Sequence, residues 1–154
     1  VKNELSVQSV TERKGVRQRL TELREALLRL HKALMESERA GYEQTFGKIV
    51  SPYQFLQLLT TNPWFVWLRP MSQLIAAMDE MLDAKEPLMV AGVEALAGQA
   101  KALLVPTMAG EGFSRHYDEA LQRDPDVVFA HAAVAKLLRA QGQGGIWGNS
   151  NGVD

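Results

Sequence analysis

Apolar residues recur early in the chain as Val16, Leu20, Leu23, Leu27, Leu30 and Leu34, at steps of four, three, four, three and four. That spacing keeps one side of a 3.6-residue helix apolar and is the spacing of a heptad seam. Ser9-Val10-Thr11-Glu12 has the Ser-x-x-Glu arrangement of a capping box, so the helix is expected to open there, run to about Tyr42 and stop near Gly47. More than thirty helical residues span about 45–50 Å. A compact bundle of this size needs less, so the N-terminal part is expected to project or to pair with another chain.

The remaining elements are marked by their caps and breakers. Ser51-Pro52, with Gln54 completing a second capping box, predicts a short helix from Pro52 to about Thr60. Asn62-Pro63 opens a third helix through Leu68, Met71, Ile75, Met78 and Leu82. Pro70 lies inside it and predicts a kink or restart near Arg69. Pro87 and Pro106 bracket a fourth helix, with Met89, Val93, Leu96 and Leu103 on a large face and Ala91, Ala95, Gly98 and Ala102 on a small one. A neighbouring helix is expected to lie close against the small face. Gly110-Glu111-Gly112 reads as a flexible connection before a fifth helix from Phe113 to Gln122, and Asp124-Pro125 caps a sixth that Gly142 ends. No window alternates strictly enough for a strand. The fold class is therefore all-α: a bundle of four main helices with short inserted ones over residues 1–141, and a flexible glycine-rich tail over 142–154. Five glycines fall in those thirteen residues, with Ile146 and Trp147 as the sizeable apolar groups.

Composition narrows the function classes. A chain of 154 residues is one domain's worth, and it buries enough surface to fold without a staple. That agrees with zero cysteines, which removes thiol nucleophiles, iron–sulfur clusters, Cys-zinc sites and disulfides together. The net charge of −1 hides a division: residues 1–48 carry ten basic and seven acidic side chains, and residues 49–100 carry two and five. A basic first helix beside an acidic middle suits pairing within the chain. A nucleic-acid face would need Arg13, Lys14, Arg17, Arg24 and Lys32 in line, yet Glu12, Glu22 and Glu25 are interleaved among them, so no nucleic-acid partner is expected. The stretch from Pro87 to Pro106 holds Glu94, Gln99 and Lys101, which reads as a core helix rather than a membrane span. Polar sequence follows Val1 with no run of signal-peptide length. A cytoplasmic location is the expectation, and it would fail if an export signal preceded Val1.

Histidines are the first chemical candidates. His31, His116 and His131 each lie on or beside an apolar helix face, one on each of three helices, so a three-histidine metal site is topologically open. Their spacing argues against it. Leu28, Phe113 and Val128 stand three residues before them, not the Glu of a di-iron bundle, and no His-x-x-x-His occurs. Separate, hydrogen-bonded histidines are the simpler reading. No Cys-x-x-Cys-His is present for haem, the methionines are explained as filler between helices, and no cofactor is expected. Neither a Gly-x-Ser-x-Gly elbow nor a phosphate-cradling glycine loop is found.

The densest patch is Pro63-Trp64-Phe65-Val66-Trp67-Leu68-Arg69-Pro70. Aromatics at helical spacing are usually core, and a ligand pocket around Trp64 and Trp67 is the functional alternative. Arg69 is placed either to clamp an anion or to pair with Asp79, Glu80 or Glu86. On the first helix His31, Glu38 and Tyr42 share one side. Facing the Trp64–Arg69 segment, they would make a polar site at the edge of the bundle, or a buried hydrogen-bonded trio.

The segments Leu30-His31-Lys32-Ala33-Leu34, Glu38-Arg39 and Pro63 to Pro70 resemble a family of small bacterial proteins known only as hypothetical, over roughly residues 20–85. The resemblance implies a bacterial helical protein and assigns no activity. The leading expectation from the residues is a non-enzymatic interaction or regulatory module that uses its long first helix to self-associate or to bind a partner. The alternative is a small-molecule or metal-binding bundle with its site near Trp64 and Trp67.

Overall fold

The computed structural model describes the backbone of residues 2–107 and 112–143, and the side chains of residues 15–107 and 112–140. Its elements are α1 (Lys2–Phe46), α2 (Pro52–Thr61), a 3-10 turn (Val66–Leu68), α3 (Arg69–Asp83), α4 (Val90–Leu103), α5 (Phe113–Arg123) and α6 (Pro125–Gln143). No strand occurs among the described residues, and the chain is all-α.

The first helix is longer than its caps suggested. It already runs at Lys2, so Ser9 sits within it and does not start it. Nothing between Lys2 and Ser9 breaks a helix, and a capping box acts only where the preceding chain leaves the helix. Its 45 residues extend about 67 Å. The other end falls where expected. Gly47 takes φ +101°, a conformation disfavoured for residues with a Cβ, and its N–H closes on the Glu43 carbonyl at 3.0 Å.

α2 begins as the cap predicts. Ser51 Oγ accepts from the Gln54 N–H at 3.1 Å, while Gln54 Oε1 reaches back to the Val50 N–H at 2.9 Å, one residue before the cap. The third helix departs from expectation. Asn62 Oδ1 accepts the Trp64 N–H at 2.8 Å, and its carbonyl takes the N–H groups of Phe65 and Val66. Residues 63–65 form a turn, residues 66–68 a single 3-10 turn, and the α-helix starts only at Arg69. Pro70 explains the restart: its ring excludes a helical carbonyl one turn back, but it is tolerated in a first turn.

The heptad seam forms the core. Val16 is 3% exposed and Leu20, Leu23, Leu27, Leu30 and Leu34 are fully buried. They join one cluster with Met71, Leu74, Ile75 and Met78 of α3, Val93, Leu96 and Ala100 of α4, and Val127 and Val134 of α6. α6 packs along α1 more extensively than any other pair of elements, and α3 follows. The division of charge is used between α1 and α3, where Arg24 pairs with Asp79 and Arg17 donates to the Leu82 carbonyl at 3.0 Å. In α4 the expectation fails: Ala91, Ala95, Gly98 and Ala102 are exposed. Val93, Leu96, Ala100 and Leu104 take the inward side, and the small residues lie half a turn around from them. α4 also starts three residues after Pro87. Gly110-Glu111 and the tail from Gly144 onward lie outside the described residues, while Gly142 and Gln143 still belong to α6. No described helix is long and apolar enough to cross a membrane.

Candidate functional site

Three of the six residues singled out near the aromatic segment come together. The turn after Asn62 lays Trp64 across the C-terminal part of α1, where its indole Nε1 donates to the Glu38 carbonyl at 3.1 Å. The approach is close at Gly41, where a Cβ would stand 3.3 Å from Trp64 Cζ2 and crowd the indole. Tyr42 packs between the rings of Phe46, Trp64 and Phe65, with centroids 4.9, 6.1 and 5.5 Å away. The Glu38 side chain turns to the other side of α1. It is buried, and its Oε1 accepts from Arg123 at 3.0 Å, beside a Ser37 hydroxyl that takes the same guanidinium. The Trp64 indole N–H and the Glu38 carboxylate are thus both engaged by the protein itself.

The other three lie elsewhere. His31 Nε2 meets Ser72 Oγ at 2.8 Å between α1 and α3. Arg69 donates to the Thr60 carbonyl at 3.1 Å, a tie that holds the end of α2 to the start of α3 and replaces both expected roles. Trp67 points away from Trp64: it packs on Phe113 at 5.3 Å and stacks on His116 at 5.2 Å, with its buried Nε1 lacking a hydrogen-bond partner. The two tryptophans therefore face different neighbours and do not line a common pocket.

The histidines likewise divide. His116 is half exposed, 3.8 Å from Glu119, and His131 Nδ1 lies 2.5 Å from the hydroxyl of buried Tyr117. Burial lowers the His31 and His131 imidazoles below their usual 6.5 and pushes the Tyr117 phenol far above its usual range. The phenol and the neutral imidazole thus share one hydrogen bond, whose direction follows the tautomer of His131. Among the described residues no group of three or more His, Asp or Glu side chains is placed to hold a metal ion. The His31–Ser72 pair has the contact of a base and a hydroxyl nucleophile, but Ser72 also donates back to the Leu68 carbonyl at 3.4 Å, as helical serines do. That describes a helix-to-helix hydrogen bond.

The most distinctive surface was not among the expected sites. No charged residue occurs from Ile49 to Leu68, twenty residues, and this charge-free run was the available signal. α2 falls within it and has no buried residue. Its inner side rests Phe55 on Phe65 at 5.7 Å and under the Arg39 guanidinium at 5.0 Å. Its outer side leaves Tyr53 and Leu56 69% and 59% exposed, and Phe46 and Val50 just before it are 65% and 85% exposed. A shallow groove of about 400 Å³ runs between the two helices, lined by Met35, Ile49, Val50, Phe55, Leu56 and Leu59 among others. The arrangement gives the bundle an apolar end built on a charge-free helix, with Arg39 in the wall of the groove and exposed Lys48 between Phe46 and Val50. No protein-family model, curated protein or solved structure matches the chain.

Proposed function

We propose that this chain is a non-enzymatic cytoplasmic interaction module that self-associates through the apolar face formed by Phe46, Val50 and α2. The observation that supports the reading is a ten-residue helix without a charge or a buried residue, which leaves Tyr53 and Leu56 in solvent. Contiguous apolar surface with aromatic residues and no charge is the composition of an interface core. α2 itself carries no charge, so two copies of it can meet across a two-fold axis without like-charge opposition. The heptad seam of α1 is the less suitable surface, since Val16 to Leu34 is consumed inside the bundle.

Sedimentation velocity over a concentration series from low to high micromolar tests this. A dimer that forms with concentration, and is lost in Leu56→Asp and Tyr53→Asp with the helical spectrum unchanged, is the expected result. A monomer throughout the series overturns self-association. A dimer insensitive to both substitutions overturns the α2 face.

A further inference from the structure

Acidic side chains are missing from the segment that builds the α2 end of the bundle. From Gln44 to Met78, thirty-five residues, the chain has no Asp or Glu, and its charges there are Lys48 and Arg69. The acids that bracket this run are taken: Glu43 pairs with Arg39 at 2.6 Å, and Asp79 pairs with Arg24. Lys48 and Arg69 have no ion pair among the described residues. Both are exposed and stand at opposite ends of α2, Lys48 in the connection before Ser51 and Arg69 against the Thr60 carbonyl. Glu36, Asp124 and Asp126 border α1 on another side, beside Ala33, Ser37 and Ala40, whereas α2 lies over Met35 and Arg39.

The side chains between these two cations suit a medium poor in water. Phe46, Val50, Tyr53 and Leu56 leave most of their apolar surface exposed. The exposed polar groups of α2 are bonded within the helix: Gln57 Nε2 donates to Tyr53 Oη at 3.0 Å, Thr60 Oγ1 to the Leu56 carbonyl at 3.1 Å and Thr61 Oγ1 to the Gln57 carbonyl at 2.7 Å. Taking water from them therefore leaves few bonds unmade. The ten residues of α2 extend about 15 Å, too short to cross a bilayer but suited to lying in its interface. Tyr is favoured at that depth, and a Lys stem reaches from it to the phosphates. An anionic surface also takes up the charge of Lys48 and Arg69. We propose that this end of the bundle docks on an anionic lipid surface, with Phe46, Val50, Tyr53 and Leu56 entering the boundary between headgroups and acyl chains and Lys48 and Arg69 meeting lipid phosphates. The docking uses the surface proposed above for self-association but does not depend on it: the monomer exposes the face and the dimer covers it.

Co-sedimentation of the full-length chain with vesicles tests this. The chain at low micromolar concentration is expected to bind vesicles that mix phosphatidylserine with phosphatidylcholine about fivefold or more tightly than vesicles of phosphatidylcholine alone. Lys48→Glu, at an exposed site outside the helices, should weaken binding to the mixed vesicles about tenfold and leave the helical spectrum unchanged. Tyr53→Trp adds a reporter. Its emission, taken as the difference from the parent's, should shift to the blue on the mixed vesicles and be quenched by brominated acyl chains. No binding to the mixed vesicles, equal binding to the two compositions, or unchanged binding by Lys48→Glu overturns the proposal. Binding without a change in the reporter at position 53 shows that another surface makes the contact, and overturns it too. Sedimentation without vesicles separates the two readings. A dimer that never binds lipid overturns the docking alone, and a monomer that binds lipid overturns self-association alone.

Discussion

Arg123, at the end of α5, bridges to α1 with one guanidinium, donating to Ser37 Oγ at 3.1 Å and to Glu38 Oε1 at 3.0 Å. Ser37 and Glu38 are the buried polar residues among the described side chains, and this bridge ties the end of α5 to α1. Arg123→Ala leaves a buried carboxylate and hydroxyl without their donor, so chemical unfolding should show a loss of about 1–3 kcal/mol. Arg123→Lys, which keeps the charge but not the planar fork, should recover part of it. An alanine variant as stable as the parent would show that water replaces the guanidinium at no cost.

Stability should fall as the solution is acidified. His31 and His131 have folded-state pKa values lowered by burial from the usual 6.5. The unfolded chain then binds more protons between those lowered values and 6.5, so unfolding free energy rises with pH in that window and levels off above it. Urea midpoints at pH 7.5, 6.5 and 5.5 should decrease in that order. His131→Gln should flatten part of the slope, because the Tyr117 hydroxyl then faces a group that does not titrate.

Two helical glycines should respond in opposite ways to a side chain. Nothing lies within 4 Å of a Cβ built at Gly98, on the exposed side of α4. Gly98→Ala should therefore raise stability by about 0.5–1 kcal/mol through helix propensity alone. At Gly41 the indole of Trp64 stands in the way, pinned by its bond to the Glu38 carbonyl. Gly41→Val should cost about 1–3 kcal/mol by overpacking, and the melting temperatures of the two variants should fall on either side of the parent's.

Leu56 and Leu27 have the same side chain in contrasting places. Leu27 is fully buried and Leu56 is 59% exposed. Leu27→Ala should cost about 3 kcal/mol in chemical unfolding. Leu56→Ala, measured where the chain is monomeric, should stay within about 0.5 kcal/mol. A large loss at Leu56 would mean that α2 is more deeply built into the bundle than its exposure shows.

Most of the fold was legible in the residues. The seam at Val16 to Leu34, the cap at Ser51, the stop at Gly47 and the restart at Arg69 rest on local chemistry: periodicity, a hydroxyl beside free N–H groups, a missing Cβ and a missing N–H. The extra length of α1 was hidden because a capping box is recognisable whether or not the chain before it is already helical. The site residues were legible only in part. Tyr42 and Trp64 meet across a close approach at Gly41, whereas Trp67 lies three residues on in a 3-10 turn that places it on Phe113 and His116. Treating 63–70 as one helix put both tryptophans on one side.

By itself the sequence determined the helical class, the positions that must be buried and the places where helices start and stop, because these depend on neighbours within one or two turns. Only the tertiary structure decided what the buried seam faces. A heptad stripe is the same whether α3 and α6 or a second chain covers it, and only the packing shows that its own helices do. The same holds for α2: its lack of charge is written in the residues, but that Tyr53 and Leu56 point to solvent depends on how much of the bundle its inner side can reach.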